Sequence, residues 1–239
     1  SPSNHEMVRQ LAARGVTSLT LDSVPRISRA QTMDALTSMS TVAGYKAVLA
    51  AADRLASFVP MVSTAVGMLP PARVLVVGTG VAGLQALATA KRLGAVTVAA
   101  DIRPAAREQA GSLGAKICDL GVPDDMAVGP GGYALPLSEA CLDRERGALR
   151  AAAAESDVVI LSALVPGRRA PVLLDDEAVA AMKPGSVIVD ISIDQGGNCS
   201  ATAPGQIVQR WGISIDGTKN IPGQVPVSAT RLFAENVFN

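Results

Sequence analysis

Residues 73–101 read RVLVVGTGVAGLQALATAKRLGAVTVAAD. An apolar run (74–77), a glycine turn (Gly78, Gly80, Gly83), a helix-forming segment (84–93), a second apolar run (96–100) and an acid (Asp101) follow one another. That order makes a β-α-β unit suited to a dinucleotide. Gly78 allows a tight exit from the strand, Gly80 omits the Cβ that would obstruct a pyrophosphate, and Gly83 lets helix and strand pack closely. At the helix start, by Val81, free N–H groups face the phosphates. Asp101 ends the second strand, where a carboxylate accepts from both adenosine ribose hydroxyls and repels a 2′-phosphate, so NAD(H) is expected rather than NADP(H). Arg103 could pair with a 2′-phosphate, lie along the adenine or face solvent. An ordinary glycine turn is the alternative, but strand, helix and acid all stand in place around this one.

Outward from that unit, the 239 residues suffice for one large or two small domains. Hydrophobic residues make up 49% and aromatics 3%, so the core must be Ala, Val, Leu and Ile, a composition that suits buried parallel strands under helices. The fold class expected is α/β, a Rossmann-type doubly wound parallel sheet, with the remnant of a second α/β domain before it. Basic and acidic residues balance at 21 each without a basic cluster, which gives no indication of nucleic acid. No apolar run approaches the roughly 20 residues of a spanning helix. Cys118, Cys141 and Cys199 lack CxxC spacing and His5 is the single histidine, so no metal site is expected and free thiols are the simple reading.

In chain order, residues 5–13 predict a helix and 17–21 a strand, a unit too small to be a domain. An Ala-rich helix is expected over 41–55. Before it, Arg26, Arg29, Gln31 and Asp34 crowd polar groups into a few residues; a solvated loop with Thr32 or Asp34 as helix cap accounts for them on pattern alone. Residues 58–71 are β-prone with two turn signals, read either as a hairpin or as an interdomain linker. A helix over 104–113 and a strand over 116–120 follow. Residues 121–136, GVPDDMAVGPGGYALP, lose any period and read as a lid or a disordered loop. Helices over 138–154, 175–182, 203–210 and 227–237 and strands over 157–161, 186–191 and 213–216 complete the pattern. The divisions expected are 1–40 for the remainder of an amino-terminal domain, 41–70 for a connecting helix and hairpin, 71–222 for the Rossmann domain and 223–239 for a carboxyl-terminal helix.

ISRAQTMD, AGYKAV, GTGVAG, ALVPGRRAP, MKPGSVIVD and GGNC together resemble the NAD(H)-binding component of proton-translocating nicotinamide nucleotide transhydrogenases, and more distantly alanine dehydrogenases. The resemblance covers essentially the whole chain. It implies that Arg26, Gln31 and Asp34 form the loop that sets the nicotinamide for hydride transfer, with Thr37 holding the carboxamide. It also implies that Gly132 and Tyr133 belong to a mobile loop closing over nucleotide, and that Leu164, Asp194 and Asn220 line the site. A nucleotide-contacting glutamine of the family corresponds to Glu145, a departure. Asp194 in DQGG also resembles the catalytic aspartate of alanine dehydrogenase, and a carboxylate capping a glycine turn is a further reading.

The implied partners are an NADP(H)-binding component carrying the co-substrate, a membrane component that conducts protons, and a second copy of this chain reached through the 58–71 hairpin. The implied location is the cytoplasmic face of a membrane, through those partners. Direct transfer between two nicotinamides needs position rather than a general acid, nucleophile or metal. Oxidative deamination of a small amino acid, the alternative, needs a base and a cation that the family carries upstream of residue 1. The opening Ser1-Pro2-Ser3 without methionine fits a chain that starts inside a longer polypeptide. A binding module without chemistry is the third reading.

Overall fold

The computed structural model describes residues 4–21, 24, 27–129, 134–165 and 168–239. Helix α1 (His5–Ala13) is capped by Asn4, whose side chain accepts from Met7 N at 3.1 Å, and it buries no residue. Of the strand expected over 17–21, residues 17–20 have no regular structure and Leu19 is exposed. An apolar segment becomes a strand only beside a sheet neighbour, and none of the described strands pairs with this one. A 3₁₀ turn (Ser28–Met33) leads into α2 (Ala35–Arg54), which begins at residue 35 rather than 41 because Asp34 caps it. Strands β1 (Val62–Thr64) and β2 (Gly67–Leu69) pair antiparallel as an exposed hairpin.

Strand β3 (Arg73–Val77), helix α3 (Val81–Arg92) and strand β4 (Val96–Ala100) build the unit on which the fold depends. Helix α4 (Pro104–Ser112) starts on a proline whose missing N–H would have no helical partner in any case. Strand β5 (Lys116–Ile117) stops short of residue 120, and the chain then turns where Asp119 Oδ1 accepts from Gly121 N at 2.9 Å. The loop that follows holds one helical turn, α5 (Asp124–Ala127), with Asp124 and Asp125 at its positive end. Helix α6 (Glu139–Ala154), strand β6 (Val158–Leu161), helix α7 (Asp176–Ala180) and strand β7 (Val187–Asp190) come next. Strands β8 (Ile207–Arg210) and β9 (Ile213–Asp216) and helix α8 (Pro226–Phe238) finish the chain.

Residues 207–210 are therefore a strand, not the expected helix. Trp211 and Gly212 both take positive φ (50° and 79°), the two-residue turn whose twist suits a hairpin, and β8 pairs antiparallel with β9.

The sheet has seven strands in the order β5-β4-β3-β6-β7-β9-β8, parallel except for β8. Alternate residues of each strand feed opposite faces. Leu75, Val77, Val98, Val159, Leu161 and Ile188 pack on one side with α6 and α7. Val74, Val76, Ala99, Ile160 and Val189 pack on the other with Ala43 and Ala47 of α2 and Leu87 and Ala90 of α3. Helices cover both faces, the doubly wound arrangement. Connections leave β3 in one direction along the sheet and β6 in the other, so a crevice opens at their carboxyl ends.

Candidate functional site

Three backbone approaches shape the turn after β3. Gly78, at φ +83°, donates to Ala100 O at 2.8 Å, and a Cβ on it would lie 2.7 Å from Ala163 Cα. A Cβ on Gly83 would lie 2.0 Å from Gly78 O, so helix α3 reaches the strand exit only as glycine. Around Gly80, by contrast, the nearest atom to a Cβ is Arg103 Nη2 at 4.0 Å. The first turn of α3, starting at Val81, therefore faces an open cradle with its N–H groups.

Across that cradle stands Asp101, buried at the end of β4. Its Oδ2 accepts from Thr79 N at 2.7 Å, from Thr79 Oγ1 at 3.2 Å and from Arg103 Nη2 at 2.9 Å. Its Oδ1 accepts from Arg103 N at 2.9 Å and Nε at 3.0 Å. Burial raises the Asp101 pKa, but the hydrogen bonds and charge of Arg103, together with the backbone N–H groups of Arg103 and Thr79, outweigh it and hold the carboxyl below its ordinary value. Asp101 is an ionised carboxylate tied to the glycine turn through Thr79.

Farther along the edge, Leu164 is exposed in the loop after β6. That loop is fixed by Asn198, which is fully buried. Asn198 Oδ1 accepts from Ala163 N at 3.0 Å and from Ser192 Oγ, while Nδ2 donates to Ala163 O at 2.9 Å and Pro171 O at 2.8 Å. Asp190, at the end of β7, accepts from the N–H groups of Ser192, Asn198 and Cys199 at 3.1, 2.9 and 3.2 Å. Burial pushes the Asp190 carboxyl up to about 6 against those bonds. The segment Ile191–Gln195 then presents Asp194 to solvent, where its Oδ2 accepts from Asn220 N at 3.3 Å. Asn220 itself is exposed in the left-handed region (φ 51°).

Helix α2 carries the third group. Beyond its carboxyl end Ala56 N donates to Gly185 O at the amino edge of the sheet, while Gly44 sits against Ala82 in the first turn of α3 at the carboxyl edge. Residues 28–37 consequently stand beyond the carboxyl edge. Asp34 accepts from Thr37 N at 2.9 Å through Oδ1 and from Thr37 Oγ1 at 2.7 Å through Oδ2, so the helix-cap reading holds at Asp34. With its proton on Asp34, Thr37 Oγ1 keeps lone pairs to accept from an amide. Gln31 is exposed in the 3₁₀ turn, and that turn is pinned where Asn236 Nδ2 of α8 donates to Thr32 O at 2.8 Å. Arg26, Gly132 and Tyr133 lie outside the described residues.

The edge thus brings Gly78, Gly80, Val81, Gly83, Asp101 and Arg103 into one cluster and Asp194 and Asn220 into another, with Leu164 near the Asn198 network and Gln31, Asp34 and Thr37 above. The sequence reading missed Thr79, Asp190 and Asn198. Thr79 carried a usable signal, a hydroxyl residue set between Gly78 and Gly80, and the fold buries it to 1% exposure. The described residues hold no group of three or more His, Cys, Asp or Glu able to bind a metal, and no helix among them is long and apolar enough to cross a membrane.

A model of the alanine dehydrogenase/PNT carboxyl-terminal domain matches residues 47–239, and one of the amino-terminal domain matches residues 1–43. The chain belongs to the alanine dehydrogenase/PNT family. This family member is 47% identical over 240 residues to an NAD(P) transhydrogenase alpha subunit of Rhodospirillum rubrum, an alignment covering 99% of this chain and 62% of that protein. The solved transhydrogenase of Sinorhizobium meliloti superposes with a TM-score of 0.84 at 41% identity, over 98% of this chain and 63% of that one. Similarity to the alanine dehydrogenase of Bacillus subtilis is weaker, 30% identity over 94% of this chain and 55% of that protein. The alanine dehydrogenase/PNT chain thus spans less than two thirds of the length of these relatives.

Proposed function

We propose that this chain is the NAD(H)-binding component of a proton-translocating transhydrogenase, divided at residues 40, 70 and 222 as the sequence suggests. The carrying observation is the cradle at Gly80 facing the ionised Asp101, on a chain 47% identical to a transhydrogenase alpha subunit. The residues fit a dinucleotide. The open space at Gly80 and the α3 N–H groups receive a pyrophosphate, and Asp101 receives the adenosine ribose. Both Asp101 oxygens already accept from Arg103, so the ribose hydroxyls take the places of the guanidinium, which moves towards the phosphates or adenine. Bound NADH supplies the hydride, and NADP⁺ on a partner component receives it.

The remaining groups act by position. Asn198 fixes the β6 loop that carries Leu164, and Asp194 and Asn220 border the nicotinamide half. Arg26, Gln31 and Asp34 present the ring, with Thr37 accepting from the carboxamide. Gly132 and Tyr133 close over the adenosine half and exclude water. The apolar hairpin of β1 and β2, with Val66 and Met68 exposed, is the contact to a second copy, and a membrane component couples transfer to proton movement. Asp194 favours a second reading, alanine dehydrogenase chemistry, because its carboxylate is exposed on the same edge.

The test is stopped-flow hydride transfer from NADH to an NADP⁺ analogue, with this chain mixed with a transhydrogenase NADP-binding component. Rapid transfer, slowed about 100-fold in Gln31→Asn while NADH still binds, is expected for a positioning residue. NADH oxidation by pyruvate and ammonium without the partner would replace this reading with the second.

A further inference from the structure

Helix α6 buries one stripe, Cys141, Glu145, Leu149 and Ala152 to Ala153. These are residues at helical spacing along one face. Leu149, Ala152 and Ala153 join the core under the sheet with Leu120, Val122 and Ala127, and Cys141 Sγ lies 3.9 Å from Met126 Sδ. Glu145 is the one charged member of that stripe, 6% exposed. Its carboxyl makes no hydrogen bond or ion pair among the described residues. A carboxyl so buried is nearly always paired, because desolvation without compensation costs several kcal/mol. Glu145 is thus a buried carboxyl without a partner among the described residues, open to one.

The groups around it say which form of the carboxyl can serve. From the end of β4 the charge of Asp101 faces it, already neutralised by Arg103. On its own helix Arg146 is turned away, donating to Val172 O at 3.0 Å and Asp143 at 3.2 Å. Over the helix, Asp119, Asp124 and Asp125 are exposed, and Arg107 pairs with Asp124. On α7, Asp176 and Glu177 are exposed, and Arg150 takes Glu177. Arg146 is the one cation whose charge bears on Glu145, and the carboxylate of Asp101 outweighs it. Burial first, and then Asp101, push its pKa up to about 7, against a small opposing effect of Arg146.

Resting on the NAD(H) reading above, we infer that Glu145 engages the adenosine half of the nucleotide as a neutral acid. It donates a hydrogen bond to an acceptor on the adenine or its ribose, so that NAD(H) binding takes up one proton. Asp101 and Glu145 then divide the work: the ionised carboxylate accepts from the ribose hydroxyls, and the neutral acid gives to a ring nitrogen or ribose oxygen. When Glu145 ionises it loses its only proton to give and adds a second negative charge beside Asp101. Affinity falls.

The experiment is fluorescence titration of NADH, and competition by AMP, at pH 6 and pH 8 for the native chain and Glu145→Gln. If only the neutral form binds, the native Kd for both ligands rises about tenfold between those values. The glutamine amide donates at every pH, so its Kd stays flat and is tighter than native at pH 8. Calorimetry of the native chain at pH 7 in buffers of different ionisation enthalpy gives about half a proton taken up per NADH. This readout does not depend on the variant folding. A flat native profile, an equal slope in Glu145→Gln, or no proton uptake overturns the inference while leaving NAD(H) binding intact. Failure of NADH to bind native protein at either pH overturns the NAD(H) reading itself. Asp190, near 6, titrates away from α6 in both proteins and cannot mimic a difference between them.

Discussion

Asn198→Ala removes the side chain that joins the loops after β6 and β7. The lost bonds leave Ala163 N and Pro171 O without their partners; Ala163 O and Ser192 Oγ keep each other, at 3.4 Å. A stranded buried polar group costs about 1–3 kcal/mol. Ala163 and Pro171 are only half-buried, and the space left by the truncation admits water, so the low end applies to each and the total is about 2 kcal/mol. For a chain of this length that lowers Tm by on the order of 4–8 °C. The assay is thermal unfolding followed by circular dichroism, with NADH titration well below the transition. Because Ala163 precedes Leu164, the folded variant also binds NADH more weakly, and Asn198→Asp, which keeps only the acceptor, falls between. A Tm within about 2 °C of native would refute the reasoning, since it would mean the network contributes less than one stranded group.

Two further outcomes concern the glycine turn. Gly83→Ala sets a methyl 2.0 Å from Gly78 O, a backbone atom that cannot step aside, so it costs about 3 kcal/mol and pushes the turn into the cradle; NADH titration and thermal melting should both register it. Arg103→Ala leaves Asp101 buried with Thr79 and the backbone N–H of residue 103 as its partners, strips it of the guanidinium, and costs about 2 kcal/mol at neutral pH. The native Asp101 pKa is lowered, so its stabilisation is present above the unfolded value of 3.8 and is lost as pH falls through the folded value. Without Arg103 that lowering disappears, and an acid titration of folded fraction should show unfolding that begins at higher pH.

The β-α-β unit was legible because its signals agree: apolar runs of strand length, glycines where backbones touch, and an acid at the strand end. Asp34 was legible as a cap for a local reason, its hydrogen bond to Thr37 N three residues on. Strand β8 was not, since at the sheet edge most of it is exposed and shows no alternation; the Trp211-Gly212 turn between two β-branched pairs was the available signal. The expected strand at 17–21 failed in the opposite way, with Leu19 and Leu21 at strand spacing but no pairing with a described strand. Asn198 could not be found from pattern, because its partners Ala163, Pro171 and Ser192 are backbone groups or a hydroxyl brought together only by the fold. Glu145 stood out in the sequence as a departure from a family glutamine, while its burial in the α6 stripe came only with the fold.

Helix α2 meets α3 where a Cβ on Gly44 would stand 2.0 Å from Ala82 O, and its far end is tied down by Ala56 and Gly185. Mechanically it is a lever, anchored at the amino edge of the sheet, resting on the nucleotide turn at mid-length and carrying Asp34 and Thr37 at its tip. At 1.5 Å per residue the arms on either side of Gly44 are roughly 14–15 Å, so lifting the bearing point by about 1 Å swings the tip by about 2 Å. A displacement of that size at a reacting centre is enough to cost 100-fold or more in rate. A single hydrogen atom on Gly44, in place of a methyl group, keeps the tip of the helix in register with the nucleotide turn.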